Sequence, residues 1–175
     1  IFDPASGEIG LPTSDLILHE DDYLAIRELI QRLRSEANAR VVCLVDRNGQ
    51  QIAGVGDLEA LDTTALASLA AGNVAATDSL ARLIGEKDFT ALYHEGEKDN
   101  LHLSVVGGKI ILVVIFDMRS SLGLVRLRVK KYSGELAAAL ERMQQRSSKA
   151  RSGRMAASSP FAEITDEDID SLFGN

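Results

Sequence analysis

Residues 62–78 read Asp62-Thr63-Thr64-Ala65-Leu66-Ala67-Ser68-Leu69-Ala70-Ala71-Gly72-Asn73-Val74-Ala75-Ala76-Thr77-Asp78, with no charged side chain between the two aspartates. Asp62, Thr63 and Thr64 are N-cap candidates, since a short side-chain oxygen accepts from amides the first turn leaves unpaired. Helical sequence continues to Ile84, and Gly85 suits the stop. One stripe, Leu66, Leu69, Ala76, Leu80 and Leu83, is bulky enough to pack on a sheet. Another, Ala65, Ser68, Gly72, Ala75 and Ser79, stays small for about four turns. A helix lying on a sheet ordinarily turns charge to water, and here both stripes avoid it. Both are therefore expected to be covered, the bulky one by the sheet and the small one by another protein whose backbone can come close. Gly72 costs about 1 kcal/mol of helix propensity relative to Ala, which such packing would offset. A second copy of the chain is the simplest cover; a loop of the same chain is the alternative.

Outward from this helix the pattern changes period. Ile26, Leu29, Ile30, Leu33 and Ala37 recur at helical spacing from about Asp21. Val41–Asp46 is a β-branched run, Asn48-Gly49 is a hairpin signal, and Gln51–Val55 returns. Downstream, 91–94, 101–106 and 110–116 read as strands. Ser120 or Ser121 then caps a helix through Leu122, Val125, Val129, Tyr132, Leu136, Leu140 and Met143 to about Gln145. The order α-β-β-α-β-β-β-α has no βα alternation. It predicts an α/β protein of the α+β type, one five-stranded antiparallel sheet with helices on both faces.

The 175 residues divide into a 1–19 extension, a 20–145 domain, a flexible basic linker at 146–159 and an acidic segment at 160–175. In the last, Thr165 and Asp168 form a capping box with Asp in place of Glu. Phe161, Ile164, Ile169, Leu172 and Phe173 give it an apolar face suited to a partner's groove. A solvated acidic tail, or one docked on its own domain, are the alternatives.

Several function classes lose support. A net charge of −7 argues against nucleic acid as the main partner. No run approaches a membrane span, the first residues lack a signal-peptide pattern, and the lone Cys43 fits a reducing, cytoplasmic setting. His19, His94 and His102 lack metal-ligand spacing, so no metal or cofactor is expected. Gly107-Gly108-Lys109 is a turn rather than a phosphate loop, because Ile110 and a strand follow it. Arg119 could serve as an arginine finger for a GTPase, although pairing with Asp117 is the commoner use of such a residue. Arg126, Arg128, Lys130 and Lys131 give the last helix a basic patch, ordinarily a solvated face. No catalytic constellation emerges, and the chain does not read as an enzyme in its own right.

The runs 62–69 and 71–76, then His94-Glu95-Gly96, then 116–127 resemble the bacterial roadblock/LC7 proteins that partner small Ras-like GTPases in gliding motility and cell polarity. Ser159–Ile164 and Asp168-Ile169-Asp170 are similar to the C-terminal motif of that family. The resemblance implies a homodimer with one continuous sheet, its two central helices side by side, and a GTP-bound GTPase seated across them. It further implies activation by rearranging the GTPase's own strand and switch loops, without an inserted arginine. Ala75 and Ser79 fall on the GTPase-facing part of the helix, and the tail falls on a second groove of the GTPase. A cytoplasmic protein concentrated at a cell pole follows. A roadblock adaptor that binds without accelerating hydrolysis is the alternative function.

Overall fold

The computed structural model describes residues 20–157. Helix α1 spans Glu20–Glu36, strands β1 and β2 span Val41–Asp46 and Gln51–Gly56, and helix α2 spans Thr63–Leu83. Strands β3, β4 and β5 span Ala91–His94, Asn100–Val106 and Ile110–Phe116, and helix α3 spans Leu122–Ala157. All strand pairs are antiparallel and the sheet order is β2-β1-β5-β4-β3. The expected five-stranded sheet with helices on both faces is what forms.

Period-two alternation assigns the faces. Val42 and Leu44 of β1, with Ile110, Leu112, Val114 and Phe116 of β5, meet α1 and α3 through Ile26, Ile30, Leu33, Val125, Tyr132, Leu136 and Met143. Val41, Cys43 and Val45, with Leu103, Ile111 and Val113, meet α2. Cys43 is fully buried, and desolvation pushes its thiol up to about 11, so it serves as a packed hydrophobe.

Local chemistry sets the joints. Asp62 Oδ1 accepts from the Ala65 amide and caps α2, while Ser121 Oγ accepts from the Leu124 amide at the start of α3. In the turn between β1 and β2 only Gly49 has positive φ (83°). Asp46 Oδ1 accepts from the amides of Asn48 and Gln50 and closes the loop, so Asn48 is spared the positive φ that its pairing with Gly suggested. Gly56 is the tightest joint, at φ 106°, where a Cβ would lie 2.0 Å from the Arg40 carbonyl oxygen.

Two expectations are corrected. Helix α3 runs to Ala157 instead of ending near Gln145, so most of the stretch read as a flexible linker is helical. Lys, Arg, Ala and Met are good helix formers, Arg146 is tied to Asp22 of α1 at 3.1 Å, and Ser147 is buried. The second correction concerns which side of α2 meets the sheet, and it defines the candidate site. Residues 1–19 and the apolar positions Phe161, Ile164, Ile169, Leu172 and Phe173 lie outside the described residues.

Candidate functional site: the outer face of helix α2

Helix α2 meets the sheet with Ala67, Ala70, Ala71 and Val74, and of its leucines only Leu66 packs beside them. Small side chains let the helix come close, and a Cβ on Gly49 would stand 2.9 Å from the Ser68 Cα. The bulky stripe expected on the sheet instead faces away: Leu69 is 72% exposed, Leu80 57%, Leu83 81% and the capping Ile84 69%. Ala76 is exposed and only Leu66 is partly buried. The physical reason is that the β1–β2 turn approaches the α2 backbone at Ser68 so closely that alanines and Val74 suffice to fill the space beneath the helix.

The small stripe lies on the outward side of the helix. Ala65, Ser68, Gly72, Ala75 and Ser79 are all exposed in this chain, and a Cβ on Gly72 would meet nothing within 4 Å. Ser79 Oγ donates to the Ala75 carbonyl oxygen at 3.2 Å and accepts from Arg82 Nη2 at 3.2 Å, so a guanidinium borders the C-terminal end of the track. The outer face of α2 is thus a low small-residue track running beside a leucine ridge.

Each stripe leans toward a different neighbour. The small track borders the β1–β2 hairpin, because Ser68 abuts Gly49 and Arg47 Nη1 bonds Asp78 Oδ2 at 2.8 Å. The leucine ridge includes Asn73, one helical step from Leu69 and Ala76, and Asn73 Nδ2 lies 3.2 Å from His94 Nε2 on β3. That strand is an edge of the sheet. It carries no acidic or lysine side chain within Ala91–His94, and Tyr93 and His94 are exposed. An edge without protective charge is open to pairing with another strand. The opposite edge, β2, lies beside α1, and its terminal Gly56 is enclosed by Arg34 and Arg40.

Arg119 is placed elsewhere. Its guanidinium grips Asp117, with Nε 3.0 and 3.1 Å from the two carboxylate oxygens and Nη2 3.0 Å from Oδ2. That bond holds the Asp117 carboxyl below the usual carboxylate range and raises the guanidinium. Arg119 lines a polar hollow with Arg34, Ser35, Asn38, Ala39 and Asp57, on the side of α1. The basic patch of α3 is likewise partly engaged, since Glu36 takes Lys131 at 2.8 Å and Arg128 at 3.2 Å. Among the described residues no group of three or more potential ligands could hold a metal, and no helix is long and apolar enough to cross a membrane.

Residues 25–116 match the family model described as Roadblock/LC7 domain. The chain belongs to the Roadblock/LC7 family. Among solved structures it is similar to Myxococcus xanthus MglB at 52% identity, covering 73% of this chain and 96% of that one, with a TM-score of 0.69. The gliding protein MglB of Thermus thermophilus is 35% identical over 74% of this chain and 98% of that one, with a TM-score of 0.69. A structure described as MglB with tetrameric arrangement is 34% identical over 75% and 98%, with a TM-score of 0.70. No curated protein sequence matches. The matches reach into this Roadblock/LC7 chain beyond the family model, and the face built by α2 belongs to the matched region.

Sequence reasoning missed the leucine ridge as a surface and the Asn73–His94 link. A signal was available. Ala67, Ala70, Ala71 and Val74 also recur at three- and four-residue spacing, and a stripe of alanines can serve a close-packed core as readily as a seam.

Proposed function

We propose that this chain is a homodimeric, GTPase-activating regulator of a small Ras-like GTPase of the MglA kind. The observation that carries the reading is the outer face of α2, uncharged between Asp62 and Asp78, where a small-residue track and a leucine ridge lie side by side. Exposed leucines at this density mark a surface meant to be covered, and two differently shaped stripes suit two different covers.

The leucine ridge, beside the uncharged β3 edge, is assigned to a second copy of the chain. Pairing of two β3 edges would continue the sheet and bring the two α2 helices together, a self-complementary arrangement about a two-fold axis. The small track, with Ala75 and Ser79, is assigned to the GTP-bound GTPase, whose backbone could then approach closely. Activation would proceed by repositioning the GTPase's own catalytic groups. The engagement of Arg119 by Asp117, on the side of α1, supports a mechanism without an arginine finger. The segment 160–175 is assigned to a second groove on the GTPase through Phe161, Ile164, Ile169, Leu172 and Phe173. The chain would act in the cytoplasm, at a cell pole, in polarity and gliding motility, and would itself be no enzyme.

GTP turnover by the cognate GTPase, measured with excess protein, tests this reading. Accelerated hydrolysis is expected. Binding with unchanged turnover would instead identify an adaptor, and no binding to the GTP form would contradict both readings.

A further inference from the structure

Resting on the GTPase reading above, we propose that Arg82 is an electrostatic anchor that pairs with a carboxylate of the GTPase at the C-terminal end of the small track. Arg82 stands in the last turn of α2 and is exposed. It follows Ala75 by about two helical turns, so it lies on the Ala75 side of the track, away from Leu69 and Leu80. Its Nη2 donates to Ser79 Oγ at 3.2 Å, and Ser79 belongs to the part of the track assigned to the GTPase.

Charge singles this guanidinium out. Within Thr63–Leu83 the charged side chains are Asp78 and Arg82, and Asp78 is taken by Arg47 at 2.8 Å. Among the described residues Arg82 makes no ion pair, Glu86 and Asp88 of the connection to β3 included, and its side-chain partner is Ser79. At the other end of the helix the entering chain carries Glu59 and Asp62, both exposed, and no base occurs from Asp57 to Asp78. The outer face therefore runs from acid, across a charge-free middle, to arginine. A GTPase covering the track takes water from Arg82, and a guanidinium that loses water without gaining an acceptor opposes binding. The partner surface at that end must supply the acceptor, and a carboxylate matches the planar fork with two parallel bonds. The helix dipole also favours a cation in the last turn, but that role would leave GTPase affinity untouched.

The test titrates the full chain with the cognate GTPase, loaded with a non-hydrolysable GTP analogue, at about 50 and about 300 mM salt. Arg82→Gln is expected to weaken binding on the order of ten-fold at the lower salt, mainly through the association rate, and to flatten the salt dependence. Arg82→Lys keeps the charge without the fork and should fall between. Dimer Kd, the circular dichroism spectrum and GTP turnover at saturating variant are expected to match the wild type. A wild-type chain that does not bind the GTPase overturns the reading of the site and the anchor with it. If Ala75→Arg loses binding while Arg82→Gln keeps the wild-type affinity and salt dependence, the anchor alone falls. A raised dimer Kd would place Arg82 in the seam with the second copy. A drop in saturated turnover at unchanged affinity would place it on the nucleotide phosphates. Either result overturns the anchor.

Discussion

The two faces of the sheet are closed by different means. Under α1 and α3 lie Phe116, Tyr132, Met143, Ile26, Ile30 and Leu33, and the helices above are joined outside by Glu36 to Lys131, Arg128 and the Tyr132 hydroxyl. Under α2 the cover is mainly alanine with Val74, and the large side chains of that helix face outward. The first face is largely finished within the chain: large apolar groups lie inside and charge outside, with Leu24 and Leu127 the leucines left exposed on its helices. The second buries its small groups and leaves leucines over. A helix that spends its leucines on the outside has a second layer still to meet.

If that contrast holds, truncating the α1–α3 face gives the largest stability loss. Leu33→Ala removes a fully buried side chain and is expected to cost about 2–5 kcal/mol in urea unfolding, with binding per folded molecule unchanged. Enlarging the α2 underside comes next. Ala67→Leu forces volume into a backbone-close contact and should cost about 1–3 kcal/mol, and by lifting the helix it should also weaken partner binding. A loss of affinity without a loss of stability would break the link between the underside and the outer face.

A pH effect of intermediate size belongs to the finished face. His102 is 2% exposed, with Nδ1 unpaired among the described residues, and burial, then the charge of Arg126, lowers its pKa. The unfolded chain therefore binds a proton that the folded chain refuses. Stability from the neutral ring is full above about pH 6.5 and falls as pH drops from there toward the folded-state pKa. Unfolding free energies at pH 8 and pH 5.5 should differ more in the wild type than in His102→Phe. The smallest stability effect falls on the outward ridge: Leu69→Ser should stay within about 0.5 kcal/mol in a dilute, monomeric sample, yet raise the dimer Kd in sedimentation.

Much of this was legible in the residues. The Asp62 cap, the two hairpins and the unbroken Ile110–Phe116 run set the element order and the sheet, because caps, turns and period are local. The small track was legible for the same reason. The leucine ridge was misassigned because amphipathicity ranks side chains by size and polarity, whereas the sheet-facing side of α2 was decided by how close two backbones come, a tertiary quantity. The continuation of α3 past Gln145 was missed because Ser and Arg composition suggested a linker, and the tie between Arg146 and Asp22 spans most of the domain's sequence. The free β3 edge follows from strand order, which no single segment carries.

The central claim is that the small track on α2 is where the GTPase sits, and Ala75→Arg tests it most directly. The substitution sets a long cation into an exposed position on the part of the track that carries no charge, so unfolding midpoint and dimer Kd should remain those of the wild type. Titration of the GTP-bound GTPase should then show affinity lowered by at least about a hundred-fold, in line with burying an unpaired charge. An Ala75→Arg protein that binds the GTPase as tightly as the wild type would contradict the account.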